Sequence, residues 1–334
     1  MDIIHNYEEK IQNNLLYLAK PVYGGWVTFT AHLSHKLNAP IYKIAGRNET
    51  FDRDFGYECK YRNKSIGEII KLNNIIITAV DKHYWEYLHL FPPDTQLVIH
   101  DPTECKLSKN KNPLVQITDK NDKILLNHFK IITIRESVQE YLMNQFNIQS
   151  LFMPHPFYKY DIPDPEGEGL GYKCVSIARI DFDKKTDILL KANKLMSDSS
   201  KHIYLFGAEN RLYVFHKLKD LGIEKYWKGK FPKNLSPLYE NKSILKDAKY
   251  MIDMSIIKGD GGGTQYTFLE AIHHGVVLIL HNEWIEKGNL FVSGKNCIGV
   301  SNEYELSEFL TNDLSDDKYS EILENSRKIL ENHT

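Results

Sequence analysis

Apolar and polar positions along this chain change their spacing regularly, so that short apolar runs alternate with stretches of helical periodicity. In the first half, apolar runs predict strands at 14–18, 39–45, 74–79, 97–100 and 131–134. A helical pattern through Thr28, Leu33 and Leu37 follows the first strand. Helical stretches are expected between the later strands, and a helix is predicted at 137–146. Strands that alternate with helices predict a parallel, Rossmann-like sheet.

The same alternation resumes after a stretch rich in proline and glycine, which indicates a second domain. Strands are predicted at 173–180, 202–206, 250–254 and 276–280, and helices at 187–196, 212–221, 243–247, 264–274 and 315–332. We therefore predict two α/β domains, at 1–155 and 172–314, that face a cleft. A connection at 156–171 joins them, and a helix at 315–334 closes the chain. Residues 1–14 are expected to form a polar N-terminal segment.

The composition is that of a globular protein, with 42% hydrophobic residues, 26% charged residues and a net charge of −2. No apolar run reaches the roughly 18–20 residues of a membrane span, so we expect no membrane insertion. The start, MDIIHNYEEK, is too polar for a signal peptide. The four cysteines are far apart and form no CxxC pair, which argues against a zinc site or a disulfide framework. These features predict a reduced, cytoplasmic compartment.

The stretch KGDGGGTQYTFLEAIHHG, at 258–275, is the first candidate for a binding site. Three consecutive glycines make a loop without side chains, and Thr264 is placed to cap the helix that follows. A helix N-terminus reached through glycines attracts anions, phosphate above all. Tyr266 and Glu270 share one helix face, where a carboxylate can accept hydrogen bonds from sugar hydroxyls. The stretch predicts a site for a phosphorylated sugar or nucleotide. The alternative is an ordinary loop before a buried helix, with Glu270 solvated.

Further candidate residues follow strands of both predicted domains. Arg179 and Lys184 come directly after the first strand of the second domain, at the carboxyl end where open α/β sheets bind ligands. An arginine and a lysine there can clamp a diphosphate. Gly24 and Gly25 occupy the corresponding turn of the first domain. The alternative for Lys184 is a solvated helix start, and for His100 it is a strand-end histidine bonded to a carbonyl.

Together these motifs resemble the GT-B glycosyltransferases, and within them family 4, over most of the chain. The matching segments are GGWVTFTAHLSHKL, VIHDP with His100, the R-x4-K pattern of Arg179 and Lys184, Gly207 after HIYLF, and LEAIHHG with Glu270. The resemblance implies an α/β protein of the GT-B fold, with two Rossmann-like domains facing a cleft. It also implies a glycosyltransferase that uses a nucleotide-sugar donor and needs no cofactor.

The resemblance also implies roles for single residues. Arg179 and Lys184 are expected to bind the donor diphosphate, and Glu270 the nucleotide ribose. His100 is expected close to the transferred sugar, and it forms the catalytic group with Arg179 and Lys184. The donor-binding set that the resemblance implies is Gly24, Gly25, Arg179, Lys184, Gly207, Asp260, Gly262, Gly263, Thr264, Gln265, Tyr266 and Glu270.

One position departs from the family pattern. The family usually has a glutamate eight residues before the second one, and here Gly262 stands there. Either Asp260 takes its place, or backbone amides hold the sugar. The implied mechanism is retaining and metal-independent, with fixed hydrogen-bond donors that stabilise the charge on the leaving diphosphate. DxD triplets at 181–183 and 52–54 leave open a metal site, as in the other large glycosyltransferase class.

The YTxLE motif at 266–270 is similar to a motif in glycosyltransferases of T-even-type phages. Those enzymes place a sugar from UDP-glucose or UDP-arabinose on hydroxymethylcytosine in DNA. That resemblance implies duplex DNA as a partner and a host cytoplasm as the location. The lysine-rich stretch at 217–233, with Tyr226, Trp227 and Phe231, is a candidate for contact with a DNA backbone and an extruded base. Its alternative is a solvated helix and loop with ordinary core aromatics.

Three other functions stay open at this point. Transfer to a surface or capsule glycan is the alternative within the same enzyme class. A sugar-nucleotide epimerase shares the architecture but needs no acceptor, and we find no acid/base pair for it. A non-catalytic nucleotide-sugar-binding protein would bind donor without releasing nucleotide. The sequence does not indicate the oligomeric state.

Overall fold

The computed structural model describes residues 12–20, 24–105, 125–162, 170–229 and 244–334. The chain divides into two compact units, Met1–Met153 and Pro154–Thr334. Most of the polar N-terminal segment, part of the predicted connection and the end of the lysine-rich stretch lie outside the described residues. No helix in the described part of the chain is long and apolar enough to cross a bilayer.

The first unit is built on a mostly parallel sheet. Its strands are β1 (Asn14–Leu18), β2 (Ile41–Ile44), β3 (Arg53–Gly56), β4 (Cys59–Lys64), β5 (Ile75–Val80), β6 (Gln96–Ile99), β7 (Lys130–Thr133) and β8 (Leu151–Phe152). Their order in the sheet is β3-β4-β2-β1-β5-β6-β7-β8, and only the β3–β4 pair among the described strands is antiparallel. The helices are α1 (Gly25–Leu37), α2 (Ile66–Ile69) and α3 (Glu136–Phe146), with 3-10 turns at Trp85–Leu90, Pro102–Cys105 and Leu125–His128.

The β3–β4 hairpin replaces a helical stretch that we expected between the second and third predicted strands. Its two-residue turn is formed by Tyr57 and Glu58, whose φ angles are 53° and 62°. Such a turn matches the twist of a hairpin but normally uses asparagine or glycine. In β4, the exposed Lys60 and Arg62 alternate with less exposed neighbours, which is the period of two of a strand. The helical expectation is met only by the short helix α2, Ile66–Ile69, and the hairpin was not predicted.

The second unit contains a five-stranded parallel sheet in the described residues, in the order β10-β9-β11-β12-β13. The strands are β9 (Cys174–Ile177), β10 (Ile203–Phe206), β11 (Tyr250–Asp253), β12 (Val277–His281) and β13 (Ile298–Val300). The helices are α4 (Thr186–Leu195), α5 (Arg211–Tyr213), α6 (Ile223–Tyr226), α7 (Tyr266–His273), α8 (Asn282–Ile285), α9 (Glu303–Asn312) and α10 (Asp316–Glu331). Short 3-10 turns lie at Phe182–Lys184, Ser199–Lys201 and Lys219–Leu221.

Helices cover both faces of this sheet, as its apolar strands require. Ile252 of β11 belongs to the hydrophobic cluster that includes residues of α4 and α9, whereas its neighbour Met251 belongs to the cluster with α7. Successive side chains of a strand point to opposite faces, so β11 is buried on both sides. This arrangement leaves the carboxyl edge of the sheet as the place for polar side chains.

Two predicted helices of this unit differ in detail. The one at 212–221 is irregular: α5 passes into a π-helical turn, Val214–Leu218, and then into a 3-10 turn. The short helix predicted at 243–247 is wrong where the structure describes it, because 244–247 form a turn and a bend; residue 243 lies outside the described ranges.

Candidate functional site

Lys184 places a largely buried ammonium group at the carboxyl edge of the second sheet. It lies in the turn between β9 and α4, and its side chain is 10% exposed. Its Nζ donates to the Ser255 hydroxyl at 2.8 Å and to the side-chain oxygen of Gln265 at 3.3 Å. Among the residues that the structure describes, its third N–H has no acceptor within hydrogen-bond distance. The group is therefore a fixed cation with one donor open to an anion.

Arg179 lies beside Lys184 on the same small cavity, but its side chain is 60% exposed. Its guanidinium contacts Asp181 at 3.1 Å and Asp183 at 3.5 Å. Exposed ion pairs of this kind contribute about 0–1 kcal/mol, so a stronger anion can displace them. These contacts occupy both carboxylates of the 181–183 triplet. Within the described ranges, no group of three or more His, Cys, Asp or Glu side chains is placed to hold a metal ion.

The N-terminus of α7 lies next to Lys184. Gln265 occupies the N-cap position and makes no side-chain capping bond, and its Oε1 accepts from Lys184 instead. The prediction that Thr264 caps this helix is wrong. Thr264 is buried, and its hydroxyl donates to the Gln265 carbonyl. The first turn thus lacks a side-chain cap, and its partial positive charge adds to that of Lys184. Gly275 does end the helix as expected, with a φ of 76° directly after His274.

The glycine loop before α7 packs against the segment at 287–288. A Cβ at Gly262 would stand 2.4 Å from the backbone nitrogen of Gly288, and one at Gly261 would stand 2.6 Å from Cδ of Lys287. The indole N–H of Trp284 donates to the Gly263 carbonyl at 3.0 Å. The close approach that Gly261 and Gly262 permit is therefore made by the chain itself. A glutamate at 262 does not fit this packing.

Asp260 is the predicted substitute for that glutamate, and the structure buries it, with 3% of the residue exposed. Its Oδ1 accepts the backbone N–H of Gly261 at 2.9 Å. Lys287 donates to the carbonyls of Asp260 and Ile257, at 2.9 and 2.7 Å. These contacts stabilise the loop, and they do not present the carboxylate to solvent.

Tyr266 and Glu270 both lie in buried surroundings. The Tyr266 hydroxyl donates to the Pro156 carbonyl at 3.1 Å, so it anchors α7 to the segment that enters the unit. Burial, and secondly the Glu270 carboxylate, raise the pKa of Tyr266. Glu270 is 1% exposed, which differs from both the accessible carboxylate and the solvated one considered above.

The other predicted glycines differ in what surrounds them. A Cβ at Gly207 would stand 1.7 Å from the Ala178 carbonyl oxygen, so glycine lets the chain cross directly beside Arg179. Gly24 has a φ of 93° and forms the N-cap of α1. A Cβ at Gly24 or Gly25 would meet no described atom within 4 Å, which leaves open space at this helix start.

His100 follows β6 in the first unit and is buried. Its Nε2 lies 2.7 Å from the Thr78 carbonyl, which can only accept, so Nε2 carries the proton and Nδ1 is an acceptor. Burial lowers the pKa of His100 to about 4, so the ring is neutral at pH 7. The carbonyl bond that we considered as the alternative is therefore present. Glu104 lies beside it and accepts the His100 backbone N–H at 3.4 Å.

The lysine-rich stretch is described only as far as residue 229, so Phe231 lies outside the described residues. Tyr226 is 5% exposed and belongs to a core cluster. The indole N–H of Trp227 donates to the Gly207 carbonyl at 3.0 Å. Tyr226 is therefore an ordinary core aromatic, as in the alternative given above, whereas Trp227 is half-buried. Lysines 217, 219, 225 and 228 are exposed.

Sequence reasoning missed the residues that hold this site together. Asp253 and Ser255, at the end of β11, surround Lys184, and Trp284 and Lys287 brace the glycine loop. One signal was visible for Asp253: it is an acidic residue in the apolar run YMIDM, where burial demands a partner. The sequence contains no comparable signal for the contacts of Trp284 and Lys287 with the glycine loop.

No family model matches this chain, and no curated protein matches it by sequence. Solved structures do match it. Anabaena Alr3699/HepE in complex with UDP is 13% identical over 96% of this chain and 95% of that chain, with a TM-score of 0.65. An alpha-glucosyltransferase in complex with UDP and a 13-mer DNA containing an HMU base is 13% identical over 96% and 95%, with a TM-score of 0.63. A mutant of S. aureus TarM, in complex with Fondaparinux, alpha-GlcNAc-glycerol and UDP, is 15% identical over 77% and 51%, with a TM-score of 0.50.

The likeness to the first two structures extends over almost the whole length of both chains. At this identity it shows the fold, and it confirms the predicted α/β architecture of the GT-B type. Similarity of fold does not assign chemistry to single residues.

Proposed function

We propose that this protein is a glycosyltransferase that moves a sugar from a UDP-sugar to an acceptor hydroxyl. The observation that carries the proposal is Lys184, a largely buried ammonium with an open N–H donor beside the uncapped N-terminus of α7. Arg179 adds a second cation on the same cavity. Such a cluster suits a diphosphate, and the three structures named above each contain UDP.

The chemistry that this cluster serves is the departure of the nucleoside diphosphate. As the bond between the anomeric carbon and the phosphate oxygen breaks, its electron pair stays on that oxygen and negative charge develops. Lys184 and the N–H groups of α7 are held in place before the reaction, so they stabilise this charge without reorganisation. Arg179 is exposed and exchanges its aspartate partners for phosphate oxygens on binding.

The reaction is proposed to retain the anomeric configuration and to need no metal. The acceptor hydroxyl attacks the anomeric carbon on the face that the diphosphate leaves, and its proton passes to the departing phosphate oxygen. His100 holds its proton at Nε2, so it contributes a hydrogen-bond acceptor at Nδ1 and does not act as an acid at pH 7. We place it beside the transferred sugar.

The finer proposal concerns the acceptor, a 5-hydroxymethylated pyrimidine in duplex DNA. The similar alpha-glucosyltransferase is seen with a DNA that contains an HMU base. The exposed lysines at 217, 219, 225 and 228 offer contacts for a phosphate backbone. Base recognition is not assigned to Tyr226 or Trp227, since both are committed to the unit.

The test is nucleotide release from a panel of UDP-, GDP- and ADP-sugars, each with and without hydroxymethylated duplex DNA. We expect release from a UDP-sugar that depends on the DNA. Unmodified DNA of the same sequence is the control, because it keeps the backbone and removes only the acceptor hydroxyl. Slow release regardless of DNA would keep the glycosyltransferase and reject the DNA acceptor. No release from any donor would overturn the proposed function.

A further inference from the structure

Asp253 is a buried acid at the last position of β11. The residue is 3% exposed, and Ser255, two residues on, is 1% exposed. It lies at the carboxyl edge of the sheet, beside the end of β9, because β9 and β11 pair in parallel. An ionised carboxylate at such a depth is costly unless charge and hydrogen bonds compensate it. The groups that compensate the Asp253 carboxylate therefore indicate its role.

Asp253 is joined to Lys184 through Ser255. The Asp253 Oδ1 accepts both the backbone N–H and the hydroxyl of Ser255. Since the Ser255 proton points to Asp253, a lone pair of its Oγ faces Lys184 and accepts from Nζ at 2.8 Å. The second carboxylate oxygen, Oδ2, lies 3.8 Å from Nζ and has no hydrogen-bond donor in the described part of the chain. The carboxylate thus acts on the ammonium both through the hydroxyl and directly by charge.

We propose that Asp253 is a positioning residue that holds the Lys184 ammonium in the donor site by way of Ser255. The role rests on the proposed function, since it concerns the lysine that we place on the donor diphosphate. Asp253 and Ser255 on one side and Gln265 on the other fix Nζ between β11 and the start of α7. Two of the three N–H donors are used in this way, and the third is left for the ligand.

A positioning role and a general structural role predict different dependences of UDP binding on Lys184. A buried carboxylate that only stabilised the fold would affect ligand binding equally whether or not residue 184 is a lysine. A positioning residue acts only through the lysine. A double-mutant cycle between Asp253 and Lys184 measures this difference.

The experiment is UDP binding by calorimetry to wild type, Asp253→Asn, Lys184→Met and the double variant. We expect Asp253→Asn to weaken UDP binding about tenfold when Lys184 is present and by less than about twofold in the Lys184→Met background. Ser255→Ala, which keeps the carboxylate and removes the bridge, is expected to show the same dependence on Lys184. It also covers the case in which Asp253→Asn does not fold.

Asp313→Asn is the matched control. Asp313 pairs with Lys249 at 2.9 Å beside Tyr250, at the amino end of β11, so this variant removes an aspartate–lysine pair next to the opposite edge of the same sheet. It should leave UDP affinity unchanged. Equal losses in both lysine backgrounds, or no loss in folded Asp253→Asn, would overturn the positioning role while the donor site stands. A wild type that binds none of UDP, GDP and ADP would instead overturn the proposed function, and the role with it.

Discussion

Gly262 and Gly288 lie with their backbones in contact: a Cβ at 262 would stand 2.5 Å from Cα of Gly288 and 2.4 Å from its nitrogen. The loop before α7 and the loop after α8 are therefore packed as one piece, with Trp284 bonded to Gly263. This contact fixes where the first turn of α7 begins relative to Lys184. It also explains why position 262 carries no side chain for a sugar.

Gly262→Ala should destabilise the protein more than Gly259→Ala does. Both glycines have a positive φ, 72° and 75°, so each alanine adds backbone strain of about 1–2 kcal/mol. Only the Cβ at 262 also meets backbone, because nothing lies within 4 Å of one at 259. We expect an additional loss of about 1–3 kcal/mol at 262, measured by urea unfolding. Equal losses for the two variants would contradict the packing described above.

Lys184→Met should lower the affinity for UDP by about 10- to 150-fold, the cost of one charge-assisted hydrogen bond. The control is Lys185→Met, which removes the adjacent lysine. The Lys185 side chain makes no ion pair or hydrogen bond in the described residues, so its loss should change affinity by no more than about twofold. Calorimetric titration with UDP measures both. Equal effects would show that net charge, and not the placed ammonium, holds the nucleotide.

Arg179→Ala should reduce transferase activity by about 10- to 150-fold and leave the fold intact, because the side chain is 60% exposed. Arg53→Ala is a matched control in the other unit, since Arg53 is also exposed and pairs with an acid, Glu49. Activity and thermal unfolding are measured for both. A folded and fully active Arg179→Ala would remove this residue from the site.

The sequence was sufficient to predict the alternating strands and helices because burial on both faces leaves apolar runs such as the one in β11. It was also sufficient to bring Arg179 and Lys184 to the edge of the second sheet, since residues that follow a parallel strand lie there. The β3–β4 hairpin was not predicted, because its turn residues, Tyr57 and Glu58, are not those that usually form such turns.

The packing partner of the glycine loop could not be predicted, for a different reason. Glycine permits close approach, but the sequence does not say by what. Here the approaching group is the backbone at 287–288, which follows α7, β12 and α8 along the chain, and only the folded structure brings it there. The partners of Lys184 are similarly distant, with Ser255 and Gln265 both more than 70 residues away.

Tyr266→Phe should distinguish an anchor from a donor-binding residue. The variant keeps the ring and removes the hydroxyl that donates to the Pro156 carbonyl. We expect a loss of about 0.5–1.5 kcal/mol in the free energy of unfolding, with UDP affinity unchanged. Urea unfolding and UDP titration give the two values. A tenfold loss of affinity at unchanged stability would restore Tyr266 to the donor site.

Glu104 should make the stability of the protein fall as the pH rises across neutrality. Burial raises the pKa of its carboxyl from 4.5 to about 8. Between these values the folded chain keeps a proton that the unfolded chain has released, so this contribution is full below about pH 4.5 and is lost as the pH rises to about 8. His100 acts in the opposite sense but only in acid, because burial lowers its pKa from 6.5 to about 4.

The variant that tests this is Glu104→Gln, which keeps the shape of the side chain and removes its titration. Between about pH 6.5 and 8.5, its free energy of unfolding should decline less steeply than that of the wild type, because only the wild type exchanges this proton on unfolding. Glu68→Gln, an exposed carboxylate of the same unit, should leave the wild-type slope unchanged. Urea unfolding at several pH values measures all three. If Glu104→Gln keeps the wild-type slope, the buried carboxyl is already ionised in the folded protein. The hydrogen bond from the His100 backbone N–H, together with other contacts, would then offset the cost of burying the charge.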